Sequence, residues 1–533
     1  MSSRRSACFA QLLLIAAVTF AAGAQGAEQG AAGADVTRQL EELRRMREDM
    51  QRQIGALQQQ MGQFDAQIGA LEGALKPADA APSPEVPPPA VVDAAPGEPA
   101  VAAGSSRESA RAVGPGPPTE EEIARDEEAQ ARPRKGGFYE PGKGFVLVQD
   151  EEGELGAGVF SYVRYLNQNS LESRYTDHLG REFELADVRQ DIQMQKLSWN
   201  FKGWLFDPDF RYYWFFWTSN PQMGEGAQVV LGGYFQYHFS DAITVTAGVM
   251  PVPTTRSTNY TFPNWLRNDN RVMADEFFRG SYSTGIDAQG EIRPGLRYRV
   301  ALTNNLAQLG VSSAELDNGF NTVSGALTWM PTTGEFGPAA GFGDYEEHLD
   351  LATMFGIHLS RSRETAQGQP DIDDFENSQI RLSDGTLLFS PDPFGTGGKI
   401  EEATYKMLAL DAGLKYRGWS LEGEYYFRWV DDFDVIGTVP VDDLYDHGWS
   451  LQASTMLVSR VLQPYATLSK IYGEYGDPWE LAIGANIYPF DRKETRFNLQ
   501  LLRLDQSPVG GSSLPSQVGG DGWVLSSDWI VNF

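Results

Sequence analysis

Taken two residues at a time, the end of the chain separates into two faces. Trp523, Leu525, Ser527, Trp529, Val531 and Phe533 form one set; Val524, Ser526, Asp528, Ile530 and Asn532 form the other. The first is apolar with aromatic ends and the second is mostly polar, which is what a β-strand shows with lipid on one side and water on the other. An amphipathic edge strand of a soluble sandwich would read the same way in isolation, so recurrence decides. The pattern does recur. Trp199, Phe201, Gly203 and Leu205 alternate with Ser198, Asn200, Lys202 and Trp204, and Tyr298, Val300 and Leu302 alternate with Arg297, Arg299, Ala301 and Thr303. Trp419, Leu421, Gly423, Tyr425, Phe427 and Trp429 alternate with Ser420, Glu422, Glu424, Tyr426 and Arg428. Aromatic residues often end the apolar faces, as interfacial girdles require.

Short turns punctuate these strands at Asp207-Pro208-Asp209, Ser240-Asp241, Arg293-Pro294-Gly295, Arg417-Gly418 and Asp491-Arg492-Lys493. Longer polar stretches lie between them, near 168–189, 254–278, 305–318, 333–347, 362–403 and 430–445. Short turns on one side and long loops on the other mark a membrane barrel. No internal repeat of the kind a solenoid or propeller needs is seen. The expected fold is an all-β transmembrane barrel of about 16 antiparallel strands between 156 and 533, an even number as in single-chain bacterial barrels.

The N-terminal quarter reads differently. Residues 1–24 have a basic start (Arg4, Arg5), an apolar centre (Leu12 to Val18) and a small-x-small site at Ala22-Gly23-Ala24, the pattern of a signal peptide. From 36 to 75 apolar residues alternate spacings of three and four: Val36, Leu40, Leu43, Met50, Ile54, Leu57, Met61, Phe64, Ile68, Leu71 and Leu75, with Arg47 the one polar entry. This predicts an α-helical coiled coil. An intramolecular helical hairpin is the other reading; self-association is favoured because no second heptad segment follows. Residues 76–136 form a linker: 76–118, rich in Pro, Ala, Gly and Ser, predicts an extended, disordered spacer, and 119–135, acidic then basic, predicts a short solvated helix. The barrel is expected over 137–533.

Composition narrows the chemistry. The only cysteine is Cys8, inside the expected signal peptide, so an exported chain would have no disulfide and no cysteine-ligated metal. The chain carries a formal charge of −29, and residues 137–533 hold 29 Lys and Arg against 53 Asp and Glu. No basic stripe for nucleic acid, no phosphate-cradling glycine loop and no cofactor motif is present. The five histidines (His178, His238, His348, His358, His447) have no metal-ligand spacing; His348 and His358 are expected on one strand, facing one side. Asp371, Asp373, Asp374 and Glu376 read as surface acidity rather than an ordered calcium loop. No Ser/His/Asp arrangement emerges from spacing. The metal and catalytic expectation is none.

Three stretches carry a resemblance. Lys143-Gly144-Phe145-Val146-Leu147 precedes an acidic turn (Glu151, Glu152, Gly153, Glu154) and a Gly-led strand. Tyr234 to Phe239 leads to Val245-Thr246-Ala247-Gly248-Val249-Met250-Pro251-Val252-Pro253. An Arg- and Asn-containing loop then leads to Arg271-Val272-Met273-Ala274-Asp275-Glu276-Phe277-Phe278-Arg279 and a strand through Gly285. Over about 137–533 the chain resembles the phosphate-selective porin O/P-type family. The resemblance implies a sixteen-stranded outer-membrane diffusion channel, a homotrimer set in outer-membrane lipid, with the loop near 254–278 folded into the pore. The coiled coil lies outside it and would form a periplasmic stalk, with peptidoglycan or a periplasmic protein as its partner.

Selectivity should follow the charge at the narrowest point. The constriction candidates are Arg256, Arg267, Asp269, Arg271, Asp275, Glu276 and Arg279; the pore-lining candidates on polar strand faces are Lys196, Lys202, Arg297, Arg299, Glu422, Glu424, Arg428, Glu480, Arg496 and Asp528. For each loop arginine two roles stay open: a bare pore charge, or an ion pair that fixes the loop. No Lys cluster accompanies the loop arginines, and an acidic mouth disfavours polyanions. Passive diffusion of small hydrophilic solutes or ions is the expected function. The alternatives are a barrel that anchors the coiled coil to the cell wall, and a barrel sheath or barrel enzyme.

Overall fold

The computed structural model describes residues 137–533 except 141–142, 186–188, 220–227, 309–318, 369–378 and 512–513. The expected signal peptide, coiled coil and linker lie outside the described residues. No helix among the described residues is long and apolar enough to cross a membrane.

A hairpin of β1 (Phe138–Glu140) and β2 (Gly144–Gln149) leads into β3 (Gly153–Leu171). A separate ribbon follows, β4 (Arg174–Thr176) and β5 (Glu182–Glu184). Then come β6 (Gln190–Leu205), β7 (Asp207–Ser219), β8 (Gln228–Ser240), β9 (Ile243–Pro251), β10 (Tyr282–Arg293) and β11 (Leu296–Thr303). β12 (Thr322–Trp329), β13 (Ala352–Thr365), β14 (Lys399–Tyr416), β15 (Trp419–Ile436) and β16 (Leu444–Thr455) continue the order. β17 (Leu462–Tyr472), β18 (Trp479–Ile487), β19 (Thr495–Asp505) and β20 (Gly522–Asn532) complete it. β3 and β6 to β20 pair antiparallel with their neighbours in turn, and β20 pairs back onto β3, closing a sixteen-stranded barrel. β2 occupies the edge of β3 just beyond the end of β20: Phe145 and Val146 pair with Ala157 and Gly156, where Asn532 pairs with Phe160. The Phe145 and Phe533 rings meet edge to face at 5.3 Å across that junction.

The alternation seen in the sequence is the inside–outside alternation of this wall. On β20, Val524, Ser526, Asp528 and Ile530 are buried toward the lumen, while Trp523 and Trp529 are exposed outside. Trp199, Trp214, Phe235, Leu327, Trp329, Phe355, Leu421, Leu451, Ile483 and Leu499 are likewise exposed on the outer face. A contiguous apolar band of this extent exceeds what the surface of a soluble monomer carries, and lipid is what covers it. Arg417 and Gly418 form a two-residue turn with positive φ at both, 49° and 84°, as a type I′ hairpin between Tyr416 and Trp419 requires.

One end of the barrel carries the short turns, and the other carries the long connections. The stretch 333–347, expected among the long loops, is a correction: it joins β12 to β13 and so lies at the turn end. Strand direction decides this, not length. Its backbone bends inward through positive-φ glycines at Gly334, Gly337 and Gly343. Phe336 packs there with Met330, Ala352 and Met354. His348 belongs to this connection, because β13 begins at Ala352, so His348 and His358 do not share a strand face. The acidic run Asp431, Asp432 and Asp434, expected in a loop, sits instead on β15, which extends to Ile436.

Candidate functional site

Three segments enter the lumen. The first, 252–281, joins β9 to β10. It holds a 3₁₀ turn at Arg256–Thr258 and the short helix α1 (Met273–Phe278), all of whose residues are buried. The second is 330–351 from the opposite end. The third is 379–398, between β13 and β14, whose Ile380, Leu382, Leu388 and Phe394 join Phe277 and Phe278 of α1 in one apolar cluster. An apolar cluster inside a barrel lumen does not follow from a polar inner face; here the wall itself turns Tyr405, Met407, Tyr426, Val430, Ile471 and Leu502 inward, and α1 packs onto them.

The first and second segments meet. The Arg256 guanidinium donates to the carbonyls of Ala340 and Gly341 at 2.9 and 3.1 Å and pairs with Glu422 at 2.5 Å. It also lies over the Phe342 ring, 4.0 Å from its centre. Phe342 N–H donates to the Asn264 carbonyl at 2.7 Å. From the wall, Lys415 donates to the carbonyls of Phe336 and Gly341 at 2.8 and 2.7 Å.

All seven constriction candidates lie in the first segment, and each has a partner. Arg267 pairs with Glu480 on β18 at 2.5 Å, and the same carboxylate accepts the Met273 N–H at 2.8 Å. Asp269 accepts from Lys196 at 2.7 Å and from Tyr162 at 3.0 Å. Arg279 and Glu276 form a close pair, with one contact at 2.9 Å. Arg271 stacks over Trp265 at 4.4 Å, donates to Ser257 at 2.8 Å, and lies 3.6 and 3.7 Å from Asp275 and Glu276. Burial raises the Asp275 carboxyl above its ordinary value. Burial would also raise Glu276, but the Arg279 and Arg271 charges outweigh it and hold that carboxyl below its ordinary value. Arg271 itself is pulled down by burial and by the Arg279 charge.

The wall candidates divide. Arg299 pairs with Asp287 at 2.6 Å, Arg428 with Asp446 at 2.7 Å, and Asp528 with Arg164 at 2.7 Å, all buried. Arg496 donates to the Trp265 carbonyl at 2.7 Å. The Glu424 carboxylate accepts the Arg256 N–H at 3.0 Å. Arg297 is different: it is exposed near the turn end and pairs with Glu291 at 3.0 Å, away from the in-folded segments. Lys202 is half-buried on β6.

Sequence reasoning did not single out Arg164, Asp287, Asp411 or Lys415, and it reads Asp446 as an acid of an external loop, whereas Asp446 lies buried on β16. The signal was there in part. Arg164 is the one charge between Val159 and Leu171, and Asp411 and Lys415 share their parity with Ala409 and Gly413 on a strand whose other face is apolar. What the sequence lacks is which strand each one faces.

The wall from β13 to β20 is closed by these segments: Ser360, Ser362, Glu422, Ser450, Thr467, Ser469, Asn486, Asn498 and Gln500 are all buried on their lumen side. The wall of β6 to β8 is more open. Ser198, Asn200, Lys202, Tyr213, Phe215 and Tyr234 are only partly buried there.

The second segment carries its own titratable pair. The His348 ring bonds to Asp344 and lies 2.9 Å from Glu335. Burial lowers the imidazole, but Asp344 and Glu335 outweigh it and hold it above its ordinary 6.5. Burial would raise Asp344, but the bonds from His348 and Gly418 hold it below its ordinary 3.8. The imidazole's contribution is therefore complete below pH 6.5 and is lost as pH rises through the raised value; the carboxylate's is complete above pH 3.8 and is lost as pH falls through the lowered value. His348→Gln is expected to cost most stability just below pH 6.5, with the deficit shrinking as pH rises. Urea-unfolding midpoints of both proteins across pH check this.

No protein-family model matches the chain, and no curated protein matches it. Solved structures do. An anion-selective porin from Comamonas acidovorans is 12% identical with a TM-score of 0.44, covering 72% of this chain and 100% of its own. The outer membrane channel DcaP of Acinetobacter baumannii is 8% identical with a TM-score of 0.43, covering 75% and 100%. Pseudomonas putida OprB is 8% identical with a TM-score of 0.40, covering 72% and 95%. At such distances the architecture of this chain rests on its own strand pairing.

Proposed function

We propose that this chain is an outer-membrane porin of narrow bore that passes small hydrophilic solutes or ions by passive diffusion. The observation that carries this reading is a closed sixteen-stranded wall with an apolar outer band and a charged lumen, narrowed by segments entering from both ends. Barrels of this strand number hold an aqueous channel unless filled. The partly buried face of β6 to β8 beside the first segment gives solutes a path, walled by Lys202, Tyr213, Phe215 and Tyr234. A homotrimer, and a periplasmic coiled-coil stalk from 36–75, belong to the same proposal. The phosphate-selective resemblance is then one of architecture.

Ion selectivity follows from pairing. Arg256, Arg267, Arg279 and Lys196 are each matched by a buried carboxylate, so the in-folded segment presents little net positive charge. The acidic balance of the barrel is left to dominate, and the pore should prefer cations. In planar bilayers the purified protein is expected to give small stepwise conductances and a cation-selective reversal potential in a KCl gradient. An anion-selective sign would contradict the charge argument. Absence of conductance would favour a second reading, a filled barrel that anchors the N-terminal segment, which the closed wall from β13 to β20 supports.

A further inference from the structure

The pairing that neutralises the constriction is thinnest at one place, where a single histidine, His358, stands against two facing carboxylates. Asp411 on β14 stands directly opposite Glu424 on β15, both facing the lumen. Like charges in directly opposed positions destabilise a sheet. Here they are also almost fully buried, with Asp411 6% and Glu424 7% exposed. His358, on the far side of β14 and 1% exposed, places its Nε2 3.0 Å from Asp411 Oδ2. One ligand atom from each of the three residues lies within 4.8 Å of the other two.

Three details mark this as built. Asp411 pairs across β13 with Gly356, and a Cβ at Gly356 would fall 1.8 Å from Asp411 Oδ2. The carboxylate therefore rests in the space a side chain would fill, and that brings it beside His358. Asp411 Oδ1 is buried and has no hydrogen-bond partner, which costs free energy unless something binds it. The Glu424 oxygens are aimed by the Arg256 N–H at 3.0 Å and the Tyr426 hydroxyl at 3.0 Å, each leaving acceptor capacity free. The nearby basic groups are already engaged: Arg256 pairs with Glu422, and Arg271 lies against Asp275 and Glu276.

We propose that His358, Asp411 and Glu424 form a site for one first-row divalent transition-metal cation, buried behind the first in-folded segment. A neutral imidazole and two carboxylates carry two negative charges, which a divalent ion cancels. One nitrogen with two carboxylate oxygens suits Zn²⁺, Co²⁺ or Mn²⁺ better than Ca²⁺, which takes oxygen ligands. Because the Arg256 N–H binds Glu424, the ion would also stiffen the start of the segment that narrows the lumen.

Burial calls for loading during folding. The full chain is refolded from urea into detergent with Co²⁺ or Zn²⁺, desalted, and assayed for retained metal, with Co²⁺ visible absorption as a second readout. Wild type is expected to retain one ion per chain, with Co²⁺ bands of nitrogen and oxygen coordination. His358→Gln and Asp411→Asn should each weaken retention at least about tenfold, since even losses of outer-shell partners cost that much. Glu424→Gln, which keeps its shape, serves as a third variant, and circular dichroism checks that each one is folded. Folded wild type that retains no metal would overturn the site and leave a shared proton to balance the carboxylates. Retention that all folded variants keep would assign the metal to surface acids and overturn it equally.

Discussion

Glu480→Ala is expected to cost about 3–5 kcal/mol of barrel stability, the range for removing one partner of a buried ion pair. The carboxylate sits on β18 at 2% exposure and grips the first in-folded segment at two points, the Arg267 guanidinium and the Met273 N–H. Its loss leaves Arg267 buried without its counter-charge, and leaves the first N–H of α1 without its acceptor. The loss comes from desolvation, not from the pair's own strength, so a double change makes the sharper test. Replacing both residues by apolar ones of similar volume, Arg267→Met with Glu480→Leu, should recover most of the stability. Urea unfolding in detergent for the four proteins of the cycle measures the coupling. A small loss in Glu480→Ala would mean that water reaches Arg267, and that the segment is held mainly by Arg256 and Asp269.

The second large effect concerns conductance. Replacing 379–398 by a Gly-Ser chain of equal length is expected to raise single-channel conductance several-fold. This segment lays Ile380, Leu382, Leu388 and Phe394 into one cluster with Phe277, Phe278 and apolar lumen-side residues of the wall such as Tyr405 and Val430, so it closes the lumen with apolar contacts. The Arg428 guanidinium holds it from below by donating to the Arg381 carbonyl at 2.7 Å. Burial holds the Arg381 guanidinium down to about 10, and its donation to the Gly385 carbonyl at 2.7 Å knots the segment on itself. Hydrophobic constrictions exclude water and ions, so removing this one should widen the path even with the first segment in place. The reversal potential should keep its sign, because the ion pairs around Arg256 and Arg267 remain. Unchanged conductance would place the limiting cross-section between 256–279 and 336–344.

How far the sequence revealed this molecule depended on whether each feature is set locally. Strands were legible because alternation is a property of one segment and its two solvents, as at 419–429 and 523–533. The two-residue turn at Arg417-Gly418 was legible because Gly418 supplies a positive φ between two alternating runs. Inward folding of 254–278 was expected from resemblance alone, since its composition, Thr254 to Asn270, reads as a surface loop. Inward folding of 330–351 was missed: Pro331, Gly334, Pro338, Gly341 and Gly343 have the texture of an exposed connection, and only the direction of β12 places it at the turn end. The pairing of each charge was hidden for the same reason. Arg164 and Asp528 lie far apart in sequence and meet only because the barrel closes. His358 and Asp411 meet only through the register of β13 and β14.

Closure itself has a kinetic side. Strand pairings around the wall join segments that follow one another in the chain, except the pairing of β20 with β3. That seam brings together residues such as Arg164 and Asp528, which lie 364 residues apart in sequence. Non-local contacts of this kind form late, because their entropy must be met before they return anything. Until then the curled sheet has two open rims, β3 and β20, whose unsatisfied N–H and C=O groups can capture strands from other chains. The β2 strand already lies on part of the β3 rim, leaving less of it bare and marking where β20 must stop. Aggregation during refolding should therefore be governed by how quickly this one seam zips, more than by the stability of the finished wall.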